Sequence, residues 1–94
     1  MLPIVDPVRF SLGEVVVTPG TLSSVPKSQL LAALTRHATG DWGELDEQDW
    51  KANDEALEYG ARLLSAYSTA DGIRFWIITE HDRSVTTLLL PLEY

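Results

Sequence analysis

The sequence predicts an α+β domain of order β-α-α-β-β-β, with two helices packed on one face of a four-stranded, mainly antiparallel sheet. Three observations carry this. Apolar residues recur at helical spacing across 26–38 and 46–59, the period changes to two after Gly60, and only "HDRS" separates the last two apolar runs. So short a link forces antiparallel neighbours. With 94 residues, 45% of them hydrophobic, the chain can build one core, and residues 1–94 are expected to form a single domain. Its first nine residues, "MLPIVDPVR", hold two prolines and read as a loosely ordered N-terminal arm.

"VRFSLGEVVVTPG" predicts a first strand centred on Val15 to Val17, with Gly13 as a bulge. Thr18-Pro19-Gly20 stops it, or Thr18 and Pro19 cap a short helical turn. In "VPKSQLLAALTRHATG", Leu30, Leu31, Leu34 and Ala38 share helical spacing, so a helix is expected from about Pro26 to about Ala38. The next helix opens with Asp46 as N-cap, Asp49 three residues on and Leu45 stapled to Trp50, and Gly60 suits its exit. Its Trp50 and Leu57 face inward with Asn53 and Ala56 nearby, while Glu47, Lys51, Asp54, Glu55 and Glu58 face solvent.

Three strands follow: "ARLLSAYS", "IRFWIITE" and "VTTLLL", the first two joined by a loop ending in Asp71-Gly72. Ile73, Phe75 and Ile77 share one face of the middle strand; Arg74, Trp76, Ile78 and Glu80 share the other. The helices cover one face. N-terminal residues or a partner chain are expected over part of the other.

The net charge of −7 is unevenly placed. Eight acids, Asp41, Glu44, Asp46, Glu47, Asp49, Asp54, Glu55 and Glu58, lie within 41–58 beside one base, Lys51, while six acids and six bases cancel elsewhere. Direct nucleic-acid binding, which rests on a basic surface, is therefore not expected. The absence of cysteine excludes disulfides, thiolate metal sites and a cysteine nucleophile. No basic, apolar leader or membrane-length segment is present, so a soluble, cytoplasmic chain is expected.

Several groupings could carry chemistry. His37 and Asp41 are four apart, but Gly40 should end the helix between them and the ligand set is incomplete, so His37 reads as a last-turn histidine and no metal is expected. "DWGELDEQDWKAN" is as acidic as a calcium loop, yet Gly43 and Leu45 stand where oxygen ligands are needed. "TEHDRS" places Glu80, His81, Asp82 and Arg83 in one turn, either half of an acid–base site or, more commonly, a turn whose backbone Asp82 and Ser84 hydrogen-bond while Arg83 meets a nearby carboxylate. Arg62, Tyr67, Arg74 and Trp76 are expected on the second sheet face, as a stacking clamp or as stems laid over apolar sheet. Serine hydrolysis lacks a nucleophile elbow, and no glycine-rich cofactor loop is present, so no cofactor is expected.

At "FSLGEVVVTPG", "RHATGDWGELDEQDWKANDEAL" and the end "WIITEHDRSVTTLLLPLEY", the chain resembles a family of short bacterial proteins of plasmids and mobile elements, often labelled plasmid-related or as a type I restriction subunit. Gly40-Asp41-Trp42-Gly43, Asn53, Thr79-Glu80 and Asp82-Arg83 are the more specific parts. The resemblance implies no catalytic residues. The element order also looks like that of RelE/ParE-type toxins, although RNA-cleaving members are typically basic.

The expected function is thus a non-enzymatic accessory or protein-interaction module that meets a protein partner through the second sheet face or the Trp42/Trp50 region, as a monomer or as a homodimer through that face. Two alternatives are an acidic DNA-mimic inhibitor and a toxin-type enzyme using Arg62, Arg74, His81 and Arg83. In the acidic stretch, caps and a solvent face account for most carboxylates, leaving Asp41, Trp42, Gly43 and Asn53 without an explanation.

Overall fold

The computed structural model describes residues 7–94, so the first six residues of the expected arm lie outside the described residues. The elements are β1 (Glu14–Val17), α1 (Pro19–Ser24), α2 (Lys27–Ala38), α3 (Glu47–Tyr59), β2 (Leu63–Ser68), β3 (Arg74–Thr79), β4 (Val85–Leu89) and a closing 3-10 turn (Pro91–Glu93). The strands form one mixed sheet in the order β1-β4-β3-β2. β1 runs parallel to β4, and the other two pairs are antiparallel.

The α+β architecture and its element order agree with the sequence, with one helix added. Thr18 accepts a hydrogen bond from the Thr21 N–H and Pro19 occupies the first turn, so the short helical turn forms. α3 starts at Asp46, whose carboxylate accepts from the Asp49 N–H at 2.8 Å, and leaves through Gly60 in the left-handed region. The anchored chain begins earlier than expected for an arm ending at residue 9. The Arg9 N–H donates to the Ala38 carbonyl at 2.9 Å, satisfying one of the acceptors that a helix end leaves free.

The core lies between α2 and the first sheet face. Val25, Leu30 and Ala33 pack against Tyr67, Phe75, Ile77 and Leu88, with Val17, Leu34 and Ile73 around them. On the second face Ala66, Ile78 and Leu89 are buried too. Here the chain's own carboxyl end lies over the sheet, where N-terminal residues or a partner had been expected. The Tyr94 ring packs edge-on against Trp76 at 5.6 Å, and its hydroxyl accepts from Arg62 at 2.8 Å. The Arg62 guanidinium sits over the same ring and 3.6 Å from Glu80.

Glu93 fastens this end to α1. Its carboxylate accepts from the Thr18 and Thr21 hydroxyls and from the Gly20 and Leu90 N–H groups. The Thr18 hydroxyl, foremost, holds the Glu93 carboxyl below the usual carboxylate range. A folded-state pKa below the unfolded one stabilises the fold above the ordinary carboxylate pKa, and that contribution disappears as pH falls through the lowered value. In Glu93→Ala, hydrogen exchange should speed up in residues 18–24 and 90–94 while the centre of the sheet stays protected; unchanged exchange at both segments would contradict the clasp.

Candidate functional site

The four residues left unexplained by sequence come together at the outer edge of β2. An edge strand exposes N–H and C=O groups that invite pairing with other chains unless something covers them. Asn53, on the buried side of α3, turns its amide to Leu64 as a neighbouring strand would. Its Nδ2 donates to the Leu64 carbonyl at 2.6 Å and its Oδ1 accepts the Leu64 N–H at 3.2 Å. Two residues on, the α2–α3 connection takes over: the Ala66 N–H donates to the Trp42 carbonyl, and the Glu44 N–H to the Ala66 carbonyl at 2.7 Å. Gly43 thereby forms a parallel bridge with Ala66.

Gly43 has φ +76, and a Cβ there would fall on the Ala66 carbonyl oxygen and 2.7 Å from the Tyr67 ring. Only glycine lets the backbone approach this closely. Trp42 is fully buried beside His37 and Phe10, and its indole N–H donates to Asp54 at 2.9 Å. Asp41 pairs with Arg36 at 2.7 Å, which chiefly holds its carboxyl below the usual range, and it also accepts from the Gly43 N–H. Its carbonyl accepts the Tyr67 hydroxyl at 2.7 Å. Asp41, Trp42, Gly43 and Asn53 therefore close a sheet edge.

Tyr67 does not share the second face with Arg62, Arg74 and Trp76. It lies opposite Phe75 on the first face, where burial pushes its hydroxyl pKa up. Residues 62 and 67 are an odd number apart, so the two-residue period sends them to opposite faces. Arg62 and Trp76 do meet, through Tyr94, while Arg74 is exposed.

The "TEHDRS" turn is built by its own side chains. Asp82 accepts from both the N–H and the hydroxyl of Ser84, and Arg83 adopts φ 60. In place of the expected carboxylate, Arg83 meets carbonyls: it reaches back to the end of α3, donating to Ala61 at 2.6 Å and Ala56 at 3.3 Å, and to Glu80 of its own turn at 3.1 Å. α3 has no basic residue in its last turn, and this cation from a distant turn answers its negative end. His81 is exposed.

Sequence reasoning missed a buried polar chain. His37 is fully buried, between the Ser65 hydroxyl at 2.5 Å on Nδ1 and the Thr79 hydroxyl at 2.9 Å on Nε2. Thr79 in turn meets Thr86 at 2.7 Å, and Thr86 donates to the Leu12 carbonyl. Each hydroxyl has one proton, so the carbonyl at the end sets every direction as far as His37 Nε2, and the Ser65 contact follows from the charge of the ring. Thr86 donates to Leu12, Thr79 to Thr86, His37 Nε2–H to Thr79, and Ser65 to Nδ1. Burial, reinforced by the Arg83 cation, drives its pKa down to about 3, so the imidazole is neutral and Nδ1 is the acceptor. This overturns the last-turn dipole reading of His37. The signal was present in the spacing, because Leu30, Ala33 and His37 fall on one helical face. Among the described residues no group of three or more His, Asp or Glu could hold a metal ion.

The other sheet edge, formed by β1, is uncovered among the described residues. Glu14 and Thr18 donate their N–H groups to Ser84 and Leu88 of the β4 side, so by alternation Val15 and Val17 turn theirs outward. Among the described residues no strand pairs with that outer edge. Behind it runs an apolar groove of about 340 Å³, lined by residues including Val15, Val17, Leu22, Val25, Leu30 and Leu31. Leu22 is 67% exposed and Leu31 55%.

Asn53→Ala strands both backbone groups of Leu64, each costing about 1–3 kcal/mol, so urea unfolding should report a loss of roughly 2–6 kcal/mol. Gly43→Ala should cost roughly 3 kcal/mol or more by the same measurement. For His37, the unfolded pKa lies above the folded one, so the unfolded chain binds the extra proton and stability falls as pH drops from about 6.5 toward about 3. Its contribution between pH 7 and pH 5 is a loss of about 2 kcal/mol, which His37→Gln should abolish; an equal loss in both proteins would assign the effect to another group.

Comparison of the chain with protein-family models, with curated proteins and with solved structures finds no match.

Proposed function

We propose that this chain is a non-enzymatic interaction module, a cytoplasmic accessory of plasmids or mobile elements, that holds a protein partner at the outer edge of β1. The observation that carries this reading is the pairing of outward-facing N–H and C=O groups on Val15 and Val17 with the apolar groove beside them. Strand addition uses both parts, the main chain for affinity and the groove for side-chain selectivity. The mobile-element context rests on the resemblance of the quoted motifs alone.

Several of the groups that suggested chemistry have structural employment. Ser65 and His37 are fully buried, Arg83 is spent on α3, and Arg62 is engaged by Tyr94 and Glu80. These commitments weaken the toxin-type reading. Of the eight clustered acids, Asp41, Glu44, Asp46 and Asp54 hold Arg36, Ser68, the α3 N-terminus and Trp42. That commitment weakens the DNA-mimic reading.

The test is photo-crosslinking in cells from a reactive residue substituted for Leu31, in the wild-type background and with Val15→Pro. Proline at 15 removes an outward N–H that β4 does not use, a change edge strands tolerate. Cross-linked partners should be lost with Val15→Pro; equal capture in both would move the partner to another surface.

A further inference from the structure

We infer that the occupant of the β1 edge is a second copy of this chain, paired strand to strand about a twofold axis. The inference rests on the β1 edge being the interaction surface, as proposed above, and adds the identity of the partner and its register. A strand edge complements itself in the antiparallel sense, because the directly opposed residues exchange both of their hydrogen bonds. Here the outward groups belong to Val15 and Val17. Pairing Val15 of one copy with Val17 of the other uses all of these groups in four N–H to C=O bonds. It leaves Val16 facing Val16 on the axis, and Glu14 faces Thr18, so no like charges are opposed. The two four-stranded sheets become one of eight strands with α2 of both copies on the same side, and the exposed Leu22 and Leu31 are brought toward the seam.

Charge favours this seam over other contacts between copies. The excess of −7 sits in residues 41–58, on α3 and the connection before it, and these cover β2 at the opposite edge of the sheet. At the β1 edge the strand carries Glu14, and Lys27 lines the groove, one charge of each sign. Joined through β1, the two β2 strands stand seven strand spacings apart, roughly 34 Å at about 4.8 Å each. Repulsion between the two acidic regions is then screened, since the Debye length at physiological salt is about 8 Å. A contact through α3 would set these charges against each other.

Sedimentation velocity on the intact chain, across micromolar to millimolar concentrations, reads the assembly. Wild type should move to twice the monomer mass. Val15→Pro should remain monomeric with unchanged far-ultraviolet circular dichroism. Val16 is 40% exposed, so Val16→Lys and Val16→Glu should each fold, and each should be monomeric alone because like charges meet on the axis. Mixing the two should restore a dimer containing one of each. A wild-type monomer throughout overturns the inference, and if cross-linking at Leu31 still captures a foreign protein sensitive to Val15→Pro, the interaction reading survives without it. A wild-type dimer that persists in all three variants also overturns it, by placing the contact elsewhere. Dimerisation only after residues 1–6 are removed overturns it too, since the edge of the intact chain is then not offered to a second copy.

Discussion

Both long helices are positioned by the closure of the β2 edge. An open sheet of four strands has two edges, and each buried, unpaired main-chain group on an edge costs about 1–3 kcal/mol. Asn53 from α3 serves Leu64, and the backbone of Trp42 to Glu44 serves Ala66. The connection can do this only because Gly43 brings its backbone onto Ala66, where any side chain would collide. With the connection pinned there, Trp42 is driven inward between His37 and Phe10, and α3 is held along the edge. Arg83 then holds the other end of the same helix.

The histidine chain is the second device that ties layers together. It links α2 to β2, β3 and β4 through side chains that all sit at fully buried positions, and it ends on a carbonyl of the segment before β1. Its hydrogen bonds run in one direction, so a substitution at any member leaves a buried donor or acceptor without a partner. Among the described residues no buried side-chain nitrogen or oxygen is unpartnered. A Ser–His contact of this kind resembles half of a nucleophilic pair, but the complete burial of both residues keeps substrate away from it.

The molecule has two unlike edges. One is sealed and acidic; the other carries Val15 and Val17 with outward main chain and an apolar groove alongside. The second sheet face, the surface that sequence offered for a partner, is occupied by Tyr94 and Arg62. The proposed recognition therefore lies at an edge and not on a face, and its chemistry would be strand pairing in place of side-chain stacking.

The sequence by itself determined the element order, the two long helices with their caps, and the two faces of β3, because these depend on periods and on residues close in the chain. It also exposed the segregation of charge. Only the tertiary structure decided that β1 lies parallel to β4 at an edge, because strand order is a contact between residues some seventy positions apart. Asn53 and Gly43 stood out in the sequence without a purpose and Arg83 with a different one, since each serves a backbone group on another element that no local pattern identifies. His37 lay on the apolar side of its helix in plain view, but its neutrality depends on burial beneath the sheet and on the Arg83 cation from a distant turn. Burial and partner geometry set protonation, and both exist only in the folded chain.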